Sequence, residues 1–235
     1  MKSFAFAAAA ALSIAVPSVS HATTINVNSY SFALGSQDGT LHLTAGGPFN
    51  GTTANFGQFK LDGTNASAGN VAVTFYTYCV DLNQALLIPG TFTIQPLSTL
   101  FSAATSLNMT KLLANVTPTN ADQSAAMQLA MWELAFDASA IKDVQGGANQ
   151  GQFWATAGSS ATARTLANGY LANLGAWTVP VGGQAQLLYN AQNQSQIFYA
   201  VAAVPESATW GMMIIGFGIV GASMRRRAKV SYRLA

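Results

Sequence analysis

The stretch at 121–137, ADQSAAMQLAMWELAFD, decides the fold because it predicts a helix that is apolar on nearly every side. Such a helix has to be covered by other elements on most of its surface, so we expect it to be buried. Asn120 stands directly before it and can cap its first turn. The side chain of Gln123, three residues later, can bond back to the start of the helix and so complete a capping box.

The chain on either side of this helix predicts strands that flank a helical middle. Alternating or β-rich runs occupy 24–34, 41–44, 55–61, 71–80, 91–95, 177–181, 185–189 and 196–201. Two more helices are predicted at 98–114 and 159–174, and the Gly- and Asn-rich stretches at 35–69 and 146–158 are most simply surface loops. We therefore expect an α+β fold in which β-sandwich or barrel-like strands accompany a helical middle subdomain.

Charge and composition limit the possible functions. Half of the residues are hydrophobic and only 8% are charged, so the surface must consist largely of uncharged polar residues and glycine. Most basic residues lie at the two ends, and the segment 23–203 contains four basic and seven acidic residues, a net charge of −3. A mildly acidic domain lacks the basic surface that neutralises phosphates, which excludes nucleic acid as a partner.

The N-terminal segment 1–22 has the pattern of a secretory signal peptide. Lys2 precedes an apolar run, Pro17 breaks that run, and a small-x-small cleavage site ends at Ala22. We expect signal peptidase to cut there and to release an extracellular domain at 23–203.

The C-terminal segment 204–235 predicts a membrane helix at 208–224 followed by a basic tail at 225–235. Seventeen helical residues span about 25 Å, slightly less than the roughly 30 Å hydrocarbon core of a bilayer. An arginine cluster after such a helix is expected to stay in the cytoplasm, which places the body of the protein outside.

This C-terminal segment resembles the PEP-CTERM sorting signal of Gram-negative bacteria. Ser207 stands where that signal usually has a second proline. The resemblance implies recognition and removal by an exosortase, a membrane-anchored intermediate, and delivery to the cell surface or an exopolysaccharide matrix. The matching residues are Pro205, Glu206, Trp210, Gly216, Phe217, Gly218, Arg225, Arg226 and Arg227.

Two residues inside the domain are unusual for their surroundings. Cys79 is the single cysteine of a chain that we expect in an oxidising compartment, so no intramolecular disulfide can protect its thiol. Gln128 lies in the apolar helix, where its helical neighbours offer its amide no strong partner. A buried, unpaired amide costs about 1–3 kcal/mol, so this glutamine should be paired, exposed or chemically altered.

One arrangement would account for both residues. If the Cys79 thiolate attacks the carboxamide carbon of Gln128 and ammonia leaves, an internal thioester forms. A strand, a loop and a helix that returns to the strand can span the chain between them. An apolar wall around the bond would slow its hydrolysis.

The same residues carry a second resemblance. The blocks YCVD at 78–81 and MQLAMW at 127–132 resemble the two signature blocks of bacterial thioester domains, which are best known from surface adhesins of Gram-positive bacteria. The family's cysteine, glutamine and tryptophan match Cys79, Gln128 and Trp132. Tyr78, Asp81 and Ala130 belong to the same blocks.

The resemblance implies an autocatalytic bond rather than an enzyme. A nucleophile on a target, typically an amine, displaces the thiol and becomes joined to the glutamine carbonyl. This function needs no cofactor and no metal. Met127 departs from the polar residue that adhesins often have at that position.

Two other functions remain open from the sequence. The chain can be an inert structural protein of a biofilm matrix, in which Cys79 is a buried small hydrophobe and the association with exopolysaccharide is structural. A secreted cysteine hydrolase would need His42 as the base, oriented by Asp81. With one cysteine and one remaining histidine the domain has no zinc ligand set, and its aspartates lack EF-hand spacing.

Overall fold

The computed structural model describes residues 22–139, 142–147, 151–201 and 206–225. Nine strands and four α-helices form within these residues, together with two short 3₁₀ turns at Ala66–Ala68 and Leu97–Thr99. In chain order they are β1 (Thr24–Phe32), β2 (Gln37–Leu43), β3 (Thr52–Phe56), β4 (Phe59–Asn65), β5 (Val71–Cys79), β6 (Gly90–Pro96), α1 (Ala103–Asn115), α2 (Ala121–Phe136), β7 (Phe153–Thr156), α3 (Ala161–Asn173), β8 (Gly183–Tyr189), β9 (Gln196–Val201) and α4 (Glu206–Arg225).

Six antiparallel strands close into a barrel in the order β1-β4-β5-β9-β8-β6. Strands β8 and β9 follow the helices α1 to α3 in the chain but complete the barrel begun by β1, β4, β5 and β6. Closure leaves this sheet without a free edge. The mixed fold with barrel-like strands and a helical middle is therefore confirmed.

A second, three-stranded sheet has the order β3-β2-β7. Strand β7 comes from the second half of the chain and pairs with β2 from the first, with Leu41 opposite Ala155. The helix α2 contacts β2, β3 and β7 of this sheet as well as β5 of the barrel. It thus lies between the two sheets and joins them.

The predicted burial and capping of α2 are confirmed. Every residue of this helix from Ser124 to Leu134 is buried. The Asn120 side chain accepts a hydrogen bond from Gln123 N at 2.9 Å, and Gln123 Oε1 accepts one from Thr119 N at 2.8 Å. The return bond of the capping box therefore reaches one residue further back than the usual pattern.

Three predictions about strands and loops were wrong. Residues 177–181 form no strand; Pro180 has no N–H to donate to a ladder, and the Val181 side chain is fully exposed. The run at 55–61 is interrupted at Gly57 and belongs to two strands, β3 and β4. The supposed loops at 35–69 and 146–158 contain β2, β3, β4 and β7, because pairing with distant strands outweighs their Gly- and Asn-rich composition.

The C-terminal apolar stretch is helical, as α4. However, no helix in the described part of the chain is both long and apolar enough to cross a membrane. The transmembrane helix expected at 208–224 is not found among the described residues. Pro205, Arg226, Arg227 and the predicted signal peptide up to residue 21 lie outside the described residues.

Candidate functional site

Strand β5 and helix α2 bring Cys79 and Gln128 into direct contact. Cys79 N donates a hydrogen bond to Gln128 Oε1 at 2.8 Å, and Gln128 Nε2 donates one to the Cys79 carbonyl oxygen at 2.7 Å. The two residues are 49 positions apart in the chain, and both are completely buried. The predicted pair therefore occupies one site.

The contact forms where the pairing of β5 with its neighbour β4 stops. Strand β4 pairs with β5 only as far as Thr77, which lies opposite Phe59. On its other side β5 continues to pair with β9 through Tyr78 and Cys79. The main-chain groups of Cys79 consequently have no partner from β4. The amide of Gln128 takes the place of the missing strand and satisfies them, as buried main-chain groups require.

The Cys79 thiol is held by the residue two positions further on. Its Sγ donates to the Asp81 carbonyl oxygen at 3.1 Å and accepts from Asp81 N at 3.4 Å. Burial raises the pKa of Cys79 to about 12, while the Trp132 indole and the hydrogen bond from the Asp81 main chain act in the opposite direction. The thiol is therefore protonated at neutral pH and is not a free thiolate in the resting protein.

The other block residues surround this pair. Asp81 fixes the chain after β5, because its carboxylate accepts from Asn83 N at 2.8 Å and from Gln84 Nε2 at 3.1 Å. Tyr78 is buried, which raises the pKa of its phenol, and its hydroxyl has no hydrogen-bond partner. Ala130 is also completely buried and contributes a small side chain to the interior of α2.

Trp132 and Cys79 both line a small cavity. The cavity has a volume of about 50 Å³ and is lined by Cys79, Trp132 and Gln194 among others. The rings of Phe56 and Phe153 contact the Trp132 ring edge-on, with centroids at 5.7 and 5.9 Å. The indole N–H is buried without a hydrogen bond of normal geometry. Its closeness to the thiol nevertheless lowers the pKa of Cys79 against the effect of burial.

A chain of buried amides on the β9 side of β5 was missed by sequence reasoning. Thr77 Oγ1 donates to Gln196 Oε1 at 3.1 Å, Gln196 Nε2 donates to Gln194 Oε1 at 3.0 Å, and Gln194 Nε2 donates to the Gln84 carbonyl oxygen at 3.1 Å. Gln196 lies opposite Cys79 in the ladder. The polar run at 192–196 directly before an apolar strand is the signal that could have indicated it.

A larger cleft adjoins the segment that follows Cys79. It has a volume of about 270 Å³ and combines aromatic rings with amide and carboxylate groups. Its lining residues include Asp81, Asn83, Phe101, Phe136 and Tyr189. Because Asp81 both lines this cleft and holds the thiol, the cleft adjoins a residue that contacts the site.

A pair of carboxyl groups lies near the C-terminal end of α2, one helical turn apart. Glu133 is completely buried; burial raises its pKa to about 8, and Asp137 contributes to the rise. Burial alone would also raise the pKa of Asp137, but hydrogen bonds from Ser139 and Gln152 outweigh it and lower that pKa. Gln128 precedes Glu133 by five residues, so this pair projects from a different side of α2 than Gln128 does.

The geometry does not favour the hydrolase interpretation. Leu41 lines the cavity that contains Cys79, and successive side chains of a strand face opposite sides, so the neighbouring His42 faces away. His42 stacks on Trp154 at 5.1 Å, and its Nε2 is 2.8 Å from Thr156 Oγ1. His42 is therefore not placed to act as a base for the Cys79 thiol. Within the described ranges no three Cys, His, Asp or Glu side chains form a group that could hold a metal.

No family model matches the chain, and no curated protein matches it. Among solved structures, the chain is similar to the thioester domain of the Staphylococcus aureus TIE protein, with 11% sequence identity and a TM-score of 0.42. The similarity covers 74% of this chain and 77% of that chain. Because a similarity of this size is weak, the functional argument rests on the geometry of the chain itself.

Proposed function

We propose that this chain is an exported surface or matrix protein in which Cys79 and Gln128 condense to an internal thioester. The observation that carries the proposal is their buried contact, in which both polar atoms of the Gln128 amide are bonded to the main chain of Cys79. The residue that carries the nucleophile and the carboxamide are thus already neighbours before any reaction. Holding two reacting groups in this way removes much of the entropic cost of bringing them together.

The contact also prepares the carboxamide for attack. When the sulfur adds to the Gln128 Cδ, negative charge develops on Oε1. Cys79 N already donates to this oxygen at 2.8 Å, and a donor at that position stabilises the tetrahedral intermediate. The attacking residue therefore supplies its own oxyanion donor.

The reaction balances without a cofactor. A bond forms between Cys79 Sγ and Gln128 Cδ, the bond between Cδ and Nε2 breaks, and the thiol proton ends on the departing nitrogen, which leaves as ammonia. Both residues are completely buried, so water has poor access to the product. The bond should therefore persist until a nucleophile reaches it.

A primary amine on a target would then attack Cδ and release the thiol, which leaves an amide between the two proteins or between protein and matrix. The cleft beside Asp81 supports this step as a route of approach. Each molecule reacts once and does not turn over, so the proposed role is covalent adhesion rather than enzymatic catalysis.

The proposed location is the cell surface or the extracellular matrix of a Gram-negative bacterium. It is supported by the signal-peptide pattern at 1–22 and by the PEP-CTERM-like residues at 204–235. Signal peptidase and an exosortase would act during export. Exopolysaccharide is a further proposed partner in the matrix.

The intact mass of the purified domain tests the proposal. We expect a deficit of one ammonia relative to the sequence, and addition of one methylamine when that amine is supplied. Cys79→Ala and Gln128→Ala should each abolish both effects, while Gln184→Ala, at an exposed position in β8, should abolish neither. A full mass in freshly prepared, natively folded protein would disprove thioester formation.

An inert matrix protein is the second candidate. It is favoured by the complete pairing of the Gln128 amide and by a protonated thiol, since both also suit a purely structural contact. In that case Gln128 serves only to satisfy the end of β5. The full mass and an unmodified thiol in the denatured protein would then be found together.

A further inference from the structure

Trp132 presents a buried hydrogen-bond donor that the resting protein does not use. Its side chain is 4% exposed, and its Nε1 has no hydrogen-bond partner. Most buried polar groups are paired, because an unmade hydrogen bond in the interior is costly. An unpaired indole N–H in the middle of a well-packed core therefore calls for an explanation.

The indole cannot easily turn to another acceptor. The rings of Phe56 and Phe153 contact it edge-on, and the helix α2 that carries it is buried over this turn. Trp132 and Cys79 line the same cavity of about 50 Å³, which has room for a molecule of the size of water or ammonia. The donor is thus fixed beside the sulfur.

The sulfur changes its demand for a donor during the proposed reaction. As a neutral thiol it already donates to and accepts from the Asp81 main chain. As a thiolate it has no proton to donate and is a much stronger acceptor. Hydrogen bonds to charged groups are roughly twice as strong as those between neutral groups.

We propose that the Trp132 indole N–H is the donor that stabilises the Cys79 sulfur whenever it carries negative charge. In the first step the S–H bond breaks, the thiolate attacks Gln128 Cδ, the Cδ–Nε2 bond breaks, and the thiol proton leaves with that nitrogen as ammonia. In the second step an amine attacks Cδ, the S–Cδ bond breaks, its electron pair goes to the sulfur, and the proton lost by the amine ends on that sulfur. This inference rests on the proposed thioester and adds a donor for its leaving group.

The two atoms that become negatively charged in this reaction, the Gln128 oxygen and the Cys79 sulfur, then have separate hydrogen-bond donors. Cys79 N stabilises the oxygen of the tetrahedral intermediate, and Trp132 Nε1 stabilises the sulfur before attack and after release. The first donor is bonded in the resting state, and the second is not. Trp132 should therefore affect the reaction far more than it affects the stability of the resting fold.

The sharpest test replaces Trp132 with 3-benzothienylalanine, in which sulfur takes the place of the indole N–H and the ring shape is kept. Cleavage of the thioester by methylamine should be roughly 10- to 100-fold slower, as expected for one hydrogen bond to a charged group. Thermal unfolding should change little. Phe56→Leu is the matched control, because it loosens the packing around the ring but keeps the N–H.

A second assay separates this inference from the thioester itself. In a Gln128→Ala background no thioester can form, and the rate at which methyl methanethiosulfonate modifies Cys79 at fixed pH reports the thiolate fraction. The benzothienyl residue should slow this modification by a similar factor. If wild-type protein has its full mass but this effect is present, the thioester proposal fails and the donor role stands. If neither assay changes by more than about twofold, well below the loss of such a bond, the donor role is disproved.

Discussion

Two polar residues of α2, Gln128 and Glu133, are both completely buried, yet the helix accommodates them in opposite ways. Gln128 has both amide atoms bonded to the main chain of Cys79. Glu133 Oε1 accepts from Asp143 N at 3.1 Å, whereas its Oε2 has no partner, and the pKa of this carboxyl rises to about 8.

The difference shows what each group demands of its surroundings. An amide is neutral, so one main-chain N–H and one carbonyl can satisfy it at any pH. A carboxylate loses far more solvation on burial, and it keeps its proton instead of remaining charged. The middle of the helix thus makes a pH-independent contact, whereas burial raises the pKa of the carboxyl nearer its C-terminal end to about 8.

Breaking the amide contact should have the largest effect. Gln128→Ala leaves the Cys79 N–H and carbonyl unpaired in the interior and creates a cavity, so the free energy of unfolding should fall by about 2–5 kcal/mol relative to wild type whose thioester has been cleaved by ammonia. Urea denaturation measures this loss. The exposed Gln184→Ala should stay within about 0.5 kcal/mol of wild type, and an equally small loss in Gln128→Ala would show that the contact contributes little.

Removing the charge of Glu133 should change how stability depends on pH. Folding raises the pKa of this carboxyl from 4.5 to about 8, so the folded state binds the proton more tightly and stability declines as the pH rises through that interval. Glu133→Gln should remove this decline and gain most above pH 8, at about 1.4 kcal/mol per pKa unit that the real shift amounts to.

The neighbouring charges Asp137, Lys142 and Asp143 remain in the Glu133→Gln variant and provide the internal control. Lys142 Nζ donates to the Asp137 carbonyl oxygen, so this contact does not depend on the ionisation of Glu133. Unfolding measured from acidic to alkaline pH should show parallel curves below pH 4.5 and diverging curves above it. Parallel curves at every pH would mean that Glu133 titrates normally.

Removing only the sulfur should have a smaller effect on the fold. Cys79→Ala keeps the main-chain contact with Gln128 and deletes one small buried atom, so we expect a loss of about 1 kcal/mol when it is compared with wild type whose thioester has been cleaved by ammonia, which restores both the thiol and the Gln128 amide. Calorimetry checks the value. A loss as large as that of Gln128→Ala would mean that the thiol, rather than the amide contact, stabilises this end of β5.

A similarly small effect is expected at the start of the same helix. Asn120→Ala removes the side chain that accepts from Gln123 N and should cost about 1 kcal/mol. It should leave the ammonia deficit unchanged, because the cap lies two turns before Gln128. A changed mass in this variant would show that the site depends on the position of the whole helix.

Much of the local structure followed from the sequence. The apolar run and its cap predicted α2 to within one residue, and alternating apolar residues predicted β1, β5, β6, β8 and β9 closely. The isolated cysteine and the glutamine in an apolar helix indicated the candidate pair. Local patterns are sufficient for these features because helix and strand periodicities depend on neighbours in the chain.

Other features required knowledge of distant neighbours. Strand β7 is short and lies in a Gly-rich stretch, so only its pairing with β2 reveals it. The partner of Gln128 is likewise not a side chain but the main chain of Cys79, which β4 leaves unpaired because that strand begins at Phe59, opposite Thr77. The unpaired N–H of Trp132 could not be predicted for the same reason, since the residues around it come from three separate elements of the fold.

By itself the sequence determined that one helix would be buried and that a single thiol and a carboxamide within an apolar helix needed a special environment. The tertiary structure alone decided that these two residues meet, and that the Gln128 amide contacts the main chain of Cys79 at the end of β5. The physical reason is that periodicity and composition are local properties, whereas the satisfaction of a buried polar group depends on whichever strand, helix or main-chain group the fold places beside it.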